Sequence, residues 1–174
     1  MKAMFKIAII LVLVWANCDA VIAQDKAPVL SAKMQAPKEI TLPPLLSWTD
    51  VAAAAQKAQV PIIVMVSLEG CGFCKIVRQS HLLPLQALEK TTPRAIVRQI
   101  EINGAQTVVD VNGKIISHRE FAQKLGAKVA PTVFFLNAKG EQIASPLEGG
   151  LLPDFYSAYL DDAIEAAAKK MYLK

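Results

Sequence analysis

Two cysteines separated by two residues, Cys71 and Cys74, are the side chains of this 174-residue chain best suited to chemistry. They stand in Cys71-Gly72-Phe73-Cys74, after the apolar run Ile62 to Val66 and the connection Ser67-Leu68-Glu69-Gly70. A strand that feeds a helix at this point brings the first cysteine to unpaired N–H groups and to the positive end of the helix dipole. A thiolate there is stabilised, and its pKa falls below the free value of about 8.5. Only the thiolate attacks a disulfide sulfur. Cys71 is therefore the expected nucleophile, and Cys74, one turn further in, the expected resolving thiol. A disulfide closing so short a loop adds little stability, so a structural staple is a poor account of the pair.

Other uses of the same residues stay open. A structural zinc site takes four ligands, and His81 and His118 are the only two histidines available to complete one. Copper handled by two cysteines and one histidine is a variant of that reading. A non-catalytic module that holds a partner without exchanging sulfur is a third reading. The expectation carried forward has no metal and no dissociable cofactor. A Cys71–Cys74 disulfide serves as the redox group, and partner protein thiols or disulfides exchange with it. An upstream redox protein supplies the electrons.

The N-terminus has the layout of a secretory signal. Lys2 and Lys6 are positive, Ile7 to Ala16 is unbroken apolar sequence, and Val21-Ile22-Ala23 suits cleavage before Gln24, with Ala20 as a second point. The run falls short of the roughly 20 residues that a spanning helix needs, so membrane attachment requires that this segment be retained. Lipidation at Cys18 is disfavoured by Asn17 before it. Cleavage after Ala23 removes Cys18 and leaves one close cysteine pair in an oxidising, periplasmic compartment, where such a pair points to redox work. The net charge of +4 is dispersed and gives no nucleic-acid footprint. Lys169, Lys170 and Lys174 suit a helix C-terminus.

Three divisions follow: a signal over 1–23, an extended leader over 24–46 carrying Pro28, Pro37, Pro43 and Pro44, and a domain over 47–174. Ser47 with Asp50 caps a helix to about Gln59 that shows Trp48, Val51, Ala52 and Ala55 on one face. Ile62 to Val66 reads as a strand buried on both faces. The cysteine helix runs to about Leu82, Pro84 ends or kinks it, and a helical piece continues to Lys90. Ala95 to Ile102 is a strand. Val108 to Ile116 reads as a hairpin about Asn112-Gly113. Ser117 and Glu120 open a helix that Gly126 stops. Thr132 to Leu136 and Glu141 to Leu147 pair about the Asn137 to Gly140 turn, and a last helix runs from Pro153 to Met171. This order predicts an α/β fold: a central mixed sheet flanked by helices.

With those elements in place the sequence resembles the thioredoxin superfamily. The resemblance rests on the Ile62 to Val66 strand with Glu69-Gly70-Cys71-Gly72-Phe73-Cys74-Lys75, and on Val129-Ala130-Pro131-Thr132-Val133-Phe134-Phe135 with the following turn and Gly149. It covers about Ser47 to Met171 and is closest to periplasmic thioredoxin-like proteins of the SoxW and TlpA type. It implies a cis Ala130-Pro131 bond against the cysteine pair, and a substrate groove built from Gly72, Phe73, Ala130, Pro131 and Thr132.

Three departures accompany it. The family's buried acid six residues before the first cysteine is Met65 here, which leaves proton handling at Cys74 to water. The familiar tryptophan before the first cysteine is Gly70. The stretch from Cys74 to Pro131 is long, which accommodates the Val108 to Ile116 hairpin as an insertion before the helix that precedes the cis-proline. Phe73 adds no charge, and Cys-Gly-aromatic-Cys resembles the disulfide isomerases, whose N-terminal dimerisation domain this sequence does not show. A reductase or isomerase-like exchanger is therefore expected over a primary oxidase. His81 is expected on a helix surface and His118 in solvent. Trp48, Phe134, Phe135, Phe155 and Tyr159 are expected in the core.

Overall fold

The structure is a computed structural model that describes residues 40–150 and 155–172. The signal, most of the leader, and Pro153 lie outside the described residues. The elements in chain order are α1 (Trp48–Ala58), β1 (Ile62–Ser67), α2 (Gly72–Val77), a π turn (Arg78–Leu82), α3 (Leu83–Ala87), β2 (Ile96–Glu101), β3 (Thr107–Val109), β4 (Ile115–Ser117), α4 (His118–Lys124), β5 (Thr132–Leu136), β6 (Gln142–Glu148) and α5 (Tyr156–Tyr172).

The central sheet has the order β2-β1-β5-β6. β1 runs parallel to β2 and antiparallel to β5, and β5 runs antiparallel to β6. Every residue of β1 is buried, which is why its sequence is a continuous apolar run rather than an alternating one. Ile63 and Met65 face the layer that holds α2, α3 and α5, while Ile62, Val64 and Val66 face the layer of α1 and α4. Each of these fully buried aliphatic side chains contributes about 1.5–3 kcal/mol of transfer free energy. The mixed sheet between two helical layers is the thioredoxin-like α/β architecture.

Local signals in the sequence account for the element ends. Ser47 and Ser117 cap α1 and α4 through their hydroxyls, which accept from Asp50 N and Glu120 N. Gly126, at φ 80°, closes α4, with its N–H donating to Gln123 O. Around Pro84 the cysteine helix is interrupted: α2 stops at Val77 and passes through the π turn into α3. Proline has no N–H for the carbonyl four residues back, and just before it the ladder widens, with Leu83 N donating to Arg78 O. The hairpin is present with three-residue strands. Its loop closes on Asp110, whose carboxylate accepts from Asn112 N and Lys114 N, with Gly113 at φ 77°.

Packing begins before Ser47. Leu42 and Leu45 are buried, Gln99 N donates to Pro43 O, and Leu45 N donates to Gln99 O. On the other side of this segment Val109 N donates to Leu46 O. The end of the expected leader is thus an extended strand lying parallel to β2, and β3 and β4 continue the sheet beyond it. Two further expectations are corrected. Phe155, just before α5, and Tyr159 on it are exposed, whereas Trp48, Phe134 and Phe135 are buried as expected. His118 is wholly buried, because the strand from Pro43 to Ser47 covers it.

Candidate active site

Cys71 and Cys74 form a disulfide, with their Cα atoms 5.2 Å apart. Cys71 is the N-cap of α2, and Cys74 N donates to Cys71 Sγ at 3.1 Å. The same N–H is in place to stabilise a Cys71 thiolate once the bond is reduced. Cys71 is partly exposed while Cys74 is buried completely among Met65, Val77 and their neighbours. An incoming sulfur therefore has access to Cys71 and none to Cys74.

The loop before β5 closes the other side. The Ala130–Pro131 peptide is cis, and the Ala130 carbonyl oxygen lies 4.0 Å from Cys71 Sγ. Pro131 O accepts from Gly149 N at 2.7 Å, and Thr132 Oγ1 donates to Val129 O at 2.7 Å. Of the three residues Ala130, Pro131 and Thr132, Ala130 is the one whose carbonyl faces the sulfur. Pro131 and Thr132 are buried and hold the loop in shape. Gly72 is exposed with open space around it, and the exposed Phe73 lies against Gly150, where a Cβ would come within 2.6 Å of the ring.

A polar network beneath α2 was missed by reasoning from sequence. Arg78, on the helix turn after Cys74, is buried; its Nε donates to Gln99 Oε1 at 2.7 Å and its NH2 to Ser67 Oγ at 3.0 Å. Gln99 Nε2 in turn donates to Glu101 Oε1 at 2.8 Å. The signal was present in β2, where Gln99 and Glu101 alternate onto one face of an otherwise apolar strand core, opposite Arg78. Glu101, Arg78, Lys75, Glu69 and Thr41 share with Cys71 a cavity of about 330 Å³. Titratable groups thus share a cavity with Cys71, while Met65 supplies no acid beneath the buried Cys74.

Glu101 also connects to His118. Glu101 N donates to His118 Nδ1 at 3.2 Å, so Nε2 carries the proton and donates to Leu45 O at 2.9 Å. Burial lowers the His118 pKa, opposed by the Leu45 carbonyl and the nearby Glu101 charge. His81 sits in the π turn, half-buried, with Nδ1 3.0 Å from Ser157 Oγ and its ring 4.7 Å from that of Tyr156. Both histidines are therefore tied to elements other than the cysteine pair. Among the described residues no group of three or more His, Cys, Asp or Glu side chains is arranged to hold a metal. No helix among them is long and apolar enough to cross a membrane.

No curated protein matches the chain. Among solved structures it is similar to the short form of spinach chloroplast thioredoxin f, at 19% identity and TM-score 0.47, covering 74% of this chain and 97% of that one. It is also similar to mitochondrial thioredoxin 3 from Saccharomyces cerevisiae, at 14% identity and TM-score 0.47, covering 71% and 93%, and to Chlamydomonas reinhardtii thioredoxin f2, at 21% and 0.43, covering 68% and 95%. The model of the thioredoxin-like domain matches residues 49–164. That span holds the cysteine pair, the loop of Pro131 and all four strands of the central sheet, and it includes most of the chain. With its Cys71–Cys74 disulfide in the position described, the chain belongs to the thioredoxin-like domain family.

Proposed function

We propose that this chain is a periplasmic thiol–disulfide oxidoreductase of the SoxW and TlpA type, working as a reductase or isomerase-like exchanger. The observation that carries the reading is the asymmetry of the disulfide. The accessible sulfur caps a helix beside the Ala130 carbonyl, and the other is sealed in the core. In the reduced protein the Cys71 thiolate attacks one sulfur of a partner disulfide. The partner S–S bond breaks, one partner thiolate leaves, and a mixed disulfide forms. Cys74 then attacks Cys71 Sγ, the Cys71–partner S–S bond breaks, and the second partner sulfur leaves, taking up the proton that Cys74 gives up. Two electrons pass from the protein dithiol to the partner, and an upstream redox protein must restore them. The periplasmic assignment is supported by the charged, apolar and cleavable N-terminal sequence.

Reduction of insulin disulfides, followed as turbidity in the presence of dithiothreitol, tests the exchange. The wild type accelerates it, and Cys71→Ser abolishes the acceleration. A Cys71→Ser protein that retains full activity sinks the reading. A wild type without activity that still retains a partner through Cys71→Ser makes the chain a binding module instead. Recovery of the protein from the periplasmic fraction with Gln24 as its first residue tests the location.

A further inference from the structure

Leu68, which borders the cavity of Cys71 and Glu101, also lines a second cavity of about 270 Å³. Ile102 and Val129 add apolar wall, and Ala130, whose carbonyl faces Cys71 Sγ, forms its near side. Arg119 and Gln123 from α4 and Lys128 from the loop before Pro131 supply its polar side chains, and no acidic side chain takes part. Some other cations on this domain sit with carboxylates, among them Arg94 with Asp161, Arg98 with Glu89 and Lys124 with Asp110. Arg119 and Lys128 have no hydrogen-bond or ion-pair partner among the described residues. Two unneutralised cations therefore flank a partly apolar recess that reaches Ala130, whose carbonyl faces the reactive sulfur.

We propose that this recess is a subsite that holds an acidic side chain of the polypeptide whose cysteine engages Cys71. The subsite rests on the exchange activity proposed above. The occupant is a partner chain because the recess adjoins the point where a partner's sulfur must sit. An extended chain advances about 3.3 Å per residue, so residues one or two away from the partner cysteine reach it. Charge complementarity then selects Asp or Glu at those places. Each exposed ion pair contributes at most about 1 kcal/mol, or about fivefold in rate.

The test uses homodimeric disulfides of Ac-Gly-X-Cys-X-Gly-amide with X as Glu, Gln or Lys. Protein reduced with dithiothreitol and freed of it donates two electrons to each peptide disulfide, which releases two peptide thiols measured after acid quench. Because X changes the reactivity of the disulfide itself, each rate is divided by that with mercaptoethanol. The expected result is a normalised rate for Glu about fivefold above Gln, and below Gln for Lys. Salt at about 0.5 M narrows this order, and the Arg119→Ala/Lys128→Ala double variant loses the Glu-to-Gln ratio. Equal rates for Glu and Gln, a preference for Lys, or a ratio that survives in the double variant overturns the subsite and leaves the exchange activity standing. Failure to reduce any of the peptides overturns both.

Discussion

Cys71 keeps part of its surface in solvent while Cys74, three residues on, keeps none, and the two halves of an exchange cycle divide between them. Cys74→Ser is expected to stop the cycle after its first step, leaving the partner joined to Cys71. Intact-protein mass spectrometry would then show the partner's added mass, removable with dithiothreitol, and a variant that releases its partner unaided contradicts the division of roles. His118 carries a different prediction. Its buried ring prefers the neutral form, so its pKa in the folded protein lies below the ordinary value near 6.5. As pH falls through that value the unfolded chain takes up the proton first, and stability declines. The contribution is complete above about pH 6.5 and is lost on acidification, by at most about 1.4 kcal/mol per pH unit. His118→Gln keeps an N–H for Leu45 O but cannot titrate. Urea unfolding at pH 7.5 and 5.5 should show a smaller difference for the variant than for the wild type.

Among the elements, α4 and the hairpin before it depend on short-range signals. Ser117 ends β4 and caps α4 in one residue, so Ser117→Ala should cost about 1 kcal/mol in denaturant unfolding, with insulin reduction unchanged at a temperature where the variant is folded. The caps, the Gly126 stop, the fully buried β1 and the pairing of β5 with β6 were all readable, because each follows from chemistry within a few positions. The π turn was not. It arises because Pro84 removes one donor while the helix must continue to bury Leu82 and Leu85, and periodicity carries no trace of such a compromise. Asp110 was equally hidden. Nothing in Val-Asp-Val announces a carboxylate that accepts two backbone N–H groups and Lys124 Nζ together, the contacts that lower its pKa.

For the molecule as a whole, long-range contacts decided what local reasoning misplaced. The cysteine pair and the mixed, partly parallel sheet could be read from the sequence of elements, and the Ala130-Pro131 loop from the family resemblance. The burial of His118 and Arg78 depended on which distant strand would lie over them, and nothing near either residue specified that. The strand from Pro43 to Ser47 is the clearest case: its prolines resemble a linker, yet Leu45 is fully buried in the layer of α1 and α4. Leu45→Ala should lower stability by about 2–5 kcal/mol, read as a shift of the urea midpoint. A chain shortened to begin at Ser47 should be destabilised at least as much, and a shortened chain with the midpoint of the full one would show that the strand is dispensable.

The same strand is bonded to β2 on one edge and to β3 on the other. A pull along it from the upstream chain loads the Pro43–Gln99, Leu45–Gln99 and Leu46–Val109 bonds at once, in shear, instead of unzipping them singly. Force entering through this strand would thus meet several backbone bonds in parallel before it reached the core behind them.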